Sequence, residues 1–192
     1  MTTRQANPRV EPLFVERWSP RSFDAAAIPQ EDLDVMFEAA GWAPSAFNIQ
    51  PWKFLYAHRG DENWERFLSL LIDFNQSWAK DASVLIFVTS NIHQGRGEEK
   101  KPNHSHSFDA GAAWVQLALQ ATAMGYHAHG MTGLHFDKAR EELGIPEDYR
   151  LEAAIAIGTR DDVEKLPEGL REKEAPSDRK PVSEIAVAGS FR

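Results

Sequence analysis

Two short segments concentrate side chains that could hold a charged or flat polar molecule. The first, RWSPRSF, places Arg17, Ser19 and Arg21 close together beside Trp18. Guanidinium groups give forked, charge-assisted hydrogen bonds to phosphates, and a serine hydroxyl adds a further donor. The segment therefore indicates an anion site, unless these arginines are surface residues that make only weak exposed ion pairs.

The second segment, PSAFNIQP, holds hydroxyl and amide groups between two prolines. Its polar side chains and their neighbours are Pro44, Ser45, Ala46, Phe47, Asn48 and Gln50. Proline restricts the backbone, so these groups are held at fixed positions and could present donors and acceptors to a flat heterocycle. The alternative is a rigid connecting turn whose polar side chains satisfy only the nearby backbone.

Composition restricts the chemistry that these segments could carry out. The chain has no cysteine, which excludes disulfides, thiolate nucleophiles and cysteine-ligated metal centres, so redox chemistry would need a bound cofactor. The formal net charge of −8 argues against nucleic acid or an anionic membrane as a partner. A phosphate site in so acidic a chain requires a local cluster of basic residues.

Histidines occur in two pairs with i, i+2 spacing, which would place both rings of a pair on one side of a strand. One pair is His104 and His106, the other His127 and His129. HExxH is absent, and zinc needs at least a third protein ligand, so we predict no metal site. His127 and His129 could instead help to bind an acceptor or supply a proton. Packing at a strand is the alternative.

The elements that would position these groups follow from hydrophobic periodicity. Helical spacing predicts helices over residues 28–42, 63–80 and 109–124, and the last is apolar on nearly all sides, as expected of a central helix. Apolar runs predict strands over 52–58, 83–90 and 151–160. The polar stretch 91–107 is predicted to be an exposed loop.

This order of elements lacks a regular βαβ alternation and favours an α+β fold with a largely antiparallel sheet. GxGxxG and GxxxxGK[ST] are both absent, so a Rossmann turn or a P-loop is not expected. We predict one domain over residues 1–192, with the charged stretch 161–192 as a C-terminal extension. No apolar run has the roughly 20 residues that cross a bilayer, and the polar N-terminus lacks a signal-peptide core, so a cytoplasmic location is expected.

Both chemical segments carry a family resemblance. RWSPRSF resembles the opening Arg-x-Ser-x-Arg-x-Phe motif of the FMN-dependent nitroreductase family, and APSAFNIQPWKF resembles its Pro-Ser-x-x-Asn-x-Gln-Pro-Trp motif. The similarity continues through DAGAAWVQLALQATAMGYHAHGM and LGIPEDYRLEAAIAIG to Arg179-Lys180-Pro181. Nearly the whole chain is covered in order.

The resemblance implies a nitroreductase-like fold, in which helices flank a mainly antiparallel central sheet and two chains intertwine as a homodimer. FMN would lie at the dimer interface, and residues 161–192 would pack on the partner subunit. The implied cofactor-binding residues are Arg17, Trp18, Ser19, Arg21, Pro44, Ser45, Ala46, Asn48, Gln50, Met131, Thr132, Gly133 and Arg179. Among them, the loop from Pro44 to Gln50 would reach the partner's flavin, and the backbone around Thr132 and Gly133 would face flavin N5. Phe47, His127 and His129 would lie in the substrate pocket.

The implied reaction is electron transfer from NADH or NADPH, through FMN, to a nitroaromatic, quinone or similar small acceptor by a ping-pong mechanism. Relatives with this fold carry out dehalogenation, azoline oxidation or flavin modification, so another flavin reaction is an alternative. A flavin-binding protein without turnover is a further alternative. The chain also departs from the family pattern. Ser177 stands where many members have a second basic residue, which suggests Lys180 as a substitute. Thr132 replaces the usual acidic or glycine residue.

Overall fold

A computed structural model describes residues 4–95 and 97–191, except for the side chain of Glu98. Residues 1–3 and 192, at the two ends of the predicted domain, and Arg96 in the predicted loop lie outside the described residues. The helices are α1 (Pro12–Glu16), α2 (Gln30–Gly41), α3 (Trp64–Ser69), α4 (Asp73–Ala79), α5 (His106–Ala123), α6 (Phe136–Glu142), α7 (Glu168–Arg171) and α8 (Val182–Ile185). The strands are β1 (Trp52–His58), β2 (Val84–Asn91), β3 (His93–Gln94), β4 (Lys101–Pro102), β5 (His127–Met131) and β6 (Tyr149–Gly158).

The central sheet has the strand order β1-β2-β6-β5, and every neighbouring pair is antiparallel. This confirms the predicted α+β class. Successive residues of β2 and β6 belong alternately to two apolar clusters, one on each face of the sheet. Residues of α3 and α4 fill the cluster on one face, and residues of α2 and α5 fill the cluster on the other.

Helix α5 packs across the second face and is the longest helix in the described part of the chain. Its buried residues Ala110, Ala113, Leu117 and Ala121 recur at helical spacing, so one stripe of small and apolar side chains lies against the sheet. The helix begins at His106, earlier than the sequence pattern indicated. The first turn is polar because it lies at the end of the sheet, where its side chains meet β2 and β6.

The single helix predicted over residues 63–80 is wrong. The chain instead forms α3 and α4 with a break at Leu70 to Ile72. Leu71 forms an isolated antiparallel bridge with Leu134, and the Ile72 N–H donates to the Gly133 carbonyl at 3.1 Å. Tertiary backbone pairing thus replaces two helical hydrogen bonds, which helical periodicity cannot reveal.

The stretch predicted as an exposed loop contains the two short strands β3 and β4, which pair with each other. His104 lies in the turn that follows, and His106 is the first residue of α5. The strand placement considered for this histidine pair is therefore wrong, because a helix begins between the two residues. His127 and His129 do lie on a strand, β5.

The end of the chain has two parts. Leu166 and Leu170 are buried and join the first apolar cluster, so the beginning of the predicted extension packs on the chain's own core. Residues 177–191 are exposed throughout; whether they pack on a partner subunit stays a prediction. Within the described ranges, no helix is both long and apolar enough to cross a membrane.

Candidate functional site

Basic side chains from three separate parts of the chain meet in one pocket of about 270 Å³. The first motif contributes Arg17, Trp18, Ser19 and Arg21, and the C-terminal stretch contributes Arg179. The remaining lining residues are Arg4, His129, Lys173, Ala175 and Ser177. Five cationic side chains therefore surround a space large enough for a phosphate group.

The electrostatics of this basic pocket favour a negatively charged ligand. Burial lowers the pKa of Arg17, and the nearby charges of Arg179 and Arg4 lower it further. The pKa of Arg4 is lowered by burial and then by Arg179. The Nε atom of Arg21 is buried without a hydrogen-bond partner. Like charges held together in this way favour a bound anion, which removes their mutual repulsion.

Backbone carbonyls hold the guanidinium groups in position. Arg4 donates from Nη1 to the carbonyls of Val15 at 2.8 Å and Arg17 at 2.9 Å, and from Nε to the Ser177 carbonyl at 3.0 Å. Arg179 donates to the Ser177 carbonyl at 3.1 Å and to the Ser177 hydroxyl at 3.0 Å. Ser177 therefore carries no charge, but its hydrogen bonds hold the side chains of Arg4 and Arg179 in position.

The first motif is fastened to the C-terminal stretch by Glu174. Its Oε1 accepts hydrogen bonds from the backbone N–H groups of Arg21 at 2.8 Å and Ser22 at 3.0 Å. The Ser22 hydroxyl donates to the Asp162 carbonyl at 2.6 Å. These bonds explain why residues far apart in sequence can form one pocket.

A larger and mostly apolar cleft of about 580 Å³ adjoins the basic pocket. Arg17 and Ser19 line both spaces. The cleft runs between α5 and the ends of β2, β5 and β6, and its further lining residues are Val88, Ser107, Ala110, Gly111, Trp114, Val115, Ala118, Gly130, Met131, Thr132, Glu152, Ala153 and Ile155. A basic pocket that opens into a mostly apolar cleft suits a molecule with an anionic end and an apolar body.

Met131 and Thr132 line this cleft, whereas Gly133 lies just behind it. The Gly133 carbonyl accepts hydrogen bonds from the Asn75 side chain at 2.9 Å and from the Ile72 N–H at 3.1 Å. A Cβ atom at position 133 would lie 2.5 Å from Asn75 Nδ2. Glycine therefore lets this loop approach the Asn75 side chain closely, and the two hydrogen bonds to its carbonyl hold the backbone beside the cleft.

The loop from Pro44 to Gln50 lies elsewhere in this chain. Within the described residues, none of these positions lines the cleft or the basic pocket. Phe47 is 93% exposed, and Phe47, Asn48 and Gln50 all have positive φ angles, of 52°, 55° and 53°. Gln50 donates to the Asn48 side chain at 3.1 Å, and Ser45 Oγ accepts from the Gln50 N–H at 3.0 Å. The loop is thus internally braced in a costly conformation and points its aromatic residue away from its own chain.

The two histidines of β5 lie against the first motif. His129 Nδ1 donates to the Pro20 carbonyl at 2.8 Å, and its ring lies 4.7 Å from that of Trp78. Burial is the main cause that lowers the pKa of His129 to about 4. Burial and then Arg160 lower the pKa of His127, whose ring meets the edge of Trp18 at 6.5 Å. Both imidazoles are neutral near pH 7, and His129 lines the basic pocket rather than the cleft.

Other contributors to the basic pocket were not anticipated from the sequence. Lys180, suggested as the substitute for a basic residue at 177, does not line the pocket; its Nζ lies 3.8 Å from Glu184 Oε2. Arg4 and Lys173 do line it. Arg4 precedes the first motif and Lys173 follows α7, and no local sequence pattern marked either residue.

A polar cluster at the cleft wall was also missed. Glu152 Oε1 accepts hydrogen bonds from the hydroxyls of Ser90 at 2.6 Å and Ser107 at 2.7 Å. His106 Nδ1 lies 2.7 Å from Ser90 Oγ. The alternation of LEAAIAIG could have marked Glu152 as a polar residue in a core strand. Among the described residues, no group of three or more histidine, aspartate and glutamate side chains could hold a metal ion.

Comparisons with known proteins bear on this site. The model of the Nitroreductase family matches residues 15–75 and 68–159, which is more than half of the chain. A crystal structure described as an oxidoreductase containing FMN is 51% identical in sequence, with a TM-score of 0.97 over 100% of this chain and 98% of that chain.

Two more distant relatives have functional names. A protein of Thermus thermophilus named NADH dehydrogenase is 27% identical over 173 residues, covering 75% of this chain and 83% of its own length. The iodotyrosine deiodinase of Thermotoga neapolitana is 26% identical over 172 residues, covering 78% of this chain and 88% of its own length.

Proposed function

The chain belongs to the Nitroreductase family, and on that premise we propose that it is an oxidoreductase that binds FMN and passes electrons from NADH or NADPH to a small acceptor. The observation that carries the proposal is the junction of the basic pocket with the apolar cleft at Arg17 and Ser19. FMN has a phosphate, a flexible linker and a flat ring, which correspond to the pocket, the junction and the cleft. The similar FMN-containing oxidoreductase supports the same cofactor.

The chain's own residues fit this cofactor. Arg17, Arg21 and Arg179 would grip the phosphate, with Arg4 and Lys173 adding charge, because paired guanidinium groups bind a dianion with forked hydrogen bonds. Burial and then the nearby charges of Arg179 and Arg4 lower the pKa of Arg17, and a bound phosphate would relieve the repulsion between these cations. Thr132 and the backbone beside it would border the ring.

FMN, when bound, supplies the two-electron chemistry that no side chain of this chain can carry out. The protein's part is placement and electrostatics. Arg17 would place a positive charge where the basic pocket meets the cleft. This charge would stabilise the electron-rich, reduced form of the flavin ring. The reductant and the acceptor would occupy this cleft in turn, as in a ping-pong mechanism. NADH as a donor is supported by the name of the Thermus relative.

We also propose that the working unit is a homodimer in a cytoplasmic location. Large apolar side chains are exposed on this chain, among them Trp42 at 78%, Phe47 at 93% and Phe108 at 82%. Exposed aromatic residues of this kind typically mark a protein interface. The loop from Pro44 to Gln50 would then reach the partner's cleft, and residues 177–191 would pack on the partner.

The test is spectroscopic. We expect the purified protein to carry FMN, identified by absorbance and mass after release, and to lose its yellow colour anaerobically when NADH or NADPH is added. A nitroaromatic or quinone should restore the colour, and initial rates at several acceptor concentrations should give parallel double-reciprocal plots. A protein that takes up no FMN from excess cofactor would refute the binding proposal. Flavin that neither nicotinamide reduces would refute the donor.

A second reaction on the same cofactor is favoured by one observation, the similarity to the Thermotoga iodotyrosine deiodinase. Fold and cofactor do not choose between reactions. The acceptor panel should therefore include a halogenated phenol, with halide release as the measurement. Slow reduction by both nicotinamides, and no acceptor that reoxidises the flavin, would instead identify a flavin-binding protein without turnover.

A further inference from the structure

Glu152 occupies an irregular position in the central sheet. Val88 pairs with Ala153 and Thr89 pairs with Leu151, so Glu152 is the extra residue of a β-bulge. Side chains normally alternate between the two faces of a strand, but a bulge turns an additional side chain toward one face. Accordingly, the consecutive residues Glu152 and Ala153 both line the apolar cleft.

The carboxylate of Glu152 is held by a chain of donors. Ser107 and Ser90 both donate their hydroxyl protons to Oε1. Since the single proton of Ser90 is used in this bond, the contact of 2.7 Å between Ser90 Oγ and His106 Nδ1 requires His106 to donate from Nδ1. The position of Oε1 is therefore fixed from β2 and from the first turn of α5.

The second oxygen of Glu152 keeps the capacity to bind a ligand. A carboxylate has about four acceptor positions, and the two serine hydroxyls use those of Oε1. Oε2 lies 3.4 Å from Arg150 Nε, and the Arg150 side chain is 62% exposed, so solvent competes for that guanidinium. An oriented acceptor with spare capacity thus lies on the wall of a cleft that is otherwise mostly apolar.

We propose that Glu152 recognises the head group of the small acceptor, and that this head group is a primary ammonium or, more weakly, a hydroxyl. The proposal rests on the proposed function, which places acceptors in this cleft. The apolar body of the acceptor would lie along Ala110 and Trp114, which line the same cleft. Glu152 lines the cleft but not the basic pocket. Anionic groups of a ligand would therefore bind in the basic pocket, and cationic groups would bind beside Glu152 in the cleft. An acceptor with an anionic head would be repelled.

A purely structural role makes a different prediction. Glu152 could simply fasten β6 to the first turn of α5, where a helix N-terminus also favours negative charge. Glu152→Gln separates the two roles. The amide oxygen can still accept from Ser90 and Ser107, so the fastening is largely kept, whereas the charge that attracts an ammonium is lost.

The experiment compares ligands that share one body. The oxidised protein, as purified with its cofactor and without nicotinamide, is titrated calorimetrically with 4-nitrobenzylamine, 4-nitrobenzyl alcohol and 4-nitrobenzoate. We expect the wild type to bind the amine most tightly and the carboxylate most weakly. Glu152→Gln should weaken the amine by about tenfold or more, the usual value of a hydrogen bond to a charged group, and leave the alcohol within a few fold.

Two further variants sharpen the outcome. Arg150→Gln removes the exposed cation near Oε2, so the amine should bind several fold more tightly while the fold is undisturbed. Glu141→Gln, at an exposed position of α6, should change none of the three affinities.

Equal affinity of the wild type for the amine and the carboxylate would overturn the proposal, as would an amine preference that survives in Glu152→Gln. Calorimetry needs no turnover, and the FMN content is measured on the same sample. A protein without FMN would thus refute the proposed function separately from this result.

Discussion

The side-chain carboxylate of Asp109 accepts a hydrogen bond from the backbone N–H of Ala46, with Oδ2 and N 3.1 Å apart. Asp109 is 3% exposed and lies in the first turn of α5. The same oxygen accepts from the Ser105 hydroxyl at 2.9 Å. A buried charge on the central helix therefore fixes the start of the loop that continues into the left-handed residues Phe47 and Asn48.

Replacement of Asp109 should release this loop. Asp109→Ala leaves the Ala46 N–H without its acceptor, and we expect a loss of about 2–3 kcal/mol in the free energy of unfolding, as for other buried hydrogen bonds to charged groups. Asp109→Asn, which keeps an oxygen acceptor, should lose about 1 kcal/mol. Urea denaturation followed by tryptophan fluorescence measures both values.

The matched control is Asp137→Ala, which also removes an aspartate from a first helical turn, at an exposed position of α6. It should cost only the few tenths of a kcal/mol typical of an exposed charge near a helix N-terminus. Equal losses at positions 109 and 137 would show that the hydrogen bond to Ala46 contributes nothing.

The sequence predicted the sheet better than the site. Alternating and continuous apolar runs located β1, β2 and β6 within a few residues, because the burial of a strand depends on the hydrophobicity of its own consecutive residues. The break between α3 and α4 depends on the pairing of Leu71 with Leu134. That contact joins positions far apart in the chain, so no window of sequence could contain it.

The basic pocket shows the same limit. The Arg17–Arg21 motif was visible because its residues are adjacent, whereas Arg4 and Lys173 enter the pocket only after folding. Lys180 was suggested because it neighbours Arg179, but adjacent side chains on an extended segment point in different directions. Local spacing therefore indicated only some of the basic residues that line this pocket.

Two lysines of the C-terminal stretch make a paired test of the phosphate assignment. Lys173→Gln removes a cation that lines the basic pocket, while Lys180→Gln removes one that lies outside it near Glu184. We expect Lys173→Gln to raise the dissociation constant of FMN by about tenfold, the value of one hydrogen bond to a charged group. Lys180→Gln should leave it unchanged.

Quenching of FMN fluorescence during titration of the apoprotein gives both constants. Arg179→Gln serves as the positive control, since the resemblance implies a phosphate role for Arg179 and its side chain lines the basic pocket. Comparable weakening by the two lysine variants would mean that general positive charge, rather than the pocket, holds the anion.

The loop beside the cleft should be intolerant of a single methyl group. In Gly133→Ala the added Cβ would lie 2.5 Å from Asn75 Nδ2 and 2.8 Å from Ile72 Cδ1, so the Asn75 amide that anchors this loop, or the loop itself, must shift. Overpacking of this kind costs about 1–3 kcal/mol. Gly169→Ala, in α7 with no atom within 4 Å of the new Cβ, should be neutral or slightly stabilising.

Thermal unfolding of both glycine variants measures the difference. Under the proposed function, Gly133→Ala should also weaken FMN binding, because the backbone bordering the ring would move. If Gly133→Ala is as stable as the wild type, the loop can accommodate a methyl group at position 133, and the contact with Asn75 does not constrain it.

Mixed dimers test whether the loop from Pro44 to Gln50 acts across the proposed interface. Asn48 lies outside the cleft of its own chain, so Asn48→Ala should impair a cleft in the partner. In a heterodimer with Asn48→Ala in one chain and Arg179→Gln in the other, a loop that reaches the partner places both defects in one site and leaves one tight FMN site, whereas a loop that acts on its own chain leaves two weakened sites. Two equally weakened sites, or two unaffected sites, would exclude this arrangement.

The pH dependence of stability should report the buried imidazole of His129. In the unfolded chain its pKa would be about 6.5, and burial lowers the pKa in the folded protein to about 4. Between these values the unfolded chain takes up a proton that the folded chain does not. The free energy of unfolding should therefore fall as the pH drops from about 6.5 to 4, by on the order of 3 kcal/mol from this group. Above pH 6.5 this group gives no pH dependence.

The measurement is urea denaturation across that pH range for the wild type and His129→Asn. Asparagine can still donate to the Pro20 carbonyl but does not titrate, so the variant should lose part of the slope. It should also be less stable at pH 7.5, because it loses the ring contact with Trp78. His127, whose pKa is lowered too, should maintain a residual slope. If the His129→Asn curve runs parallel to that of the wild type, the imidazole takes up its proton equally in the folded and unfolded chains.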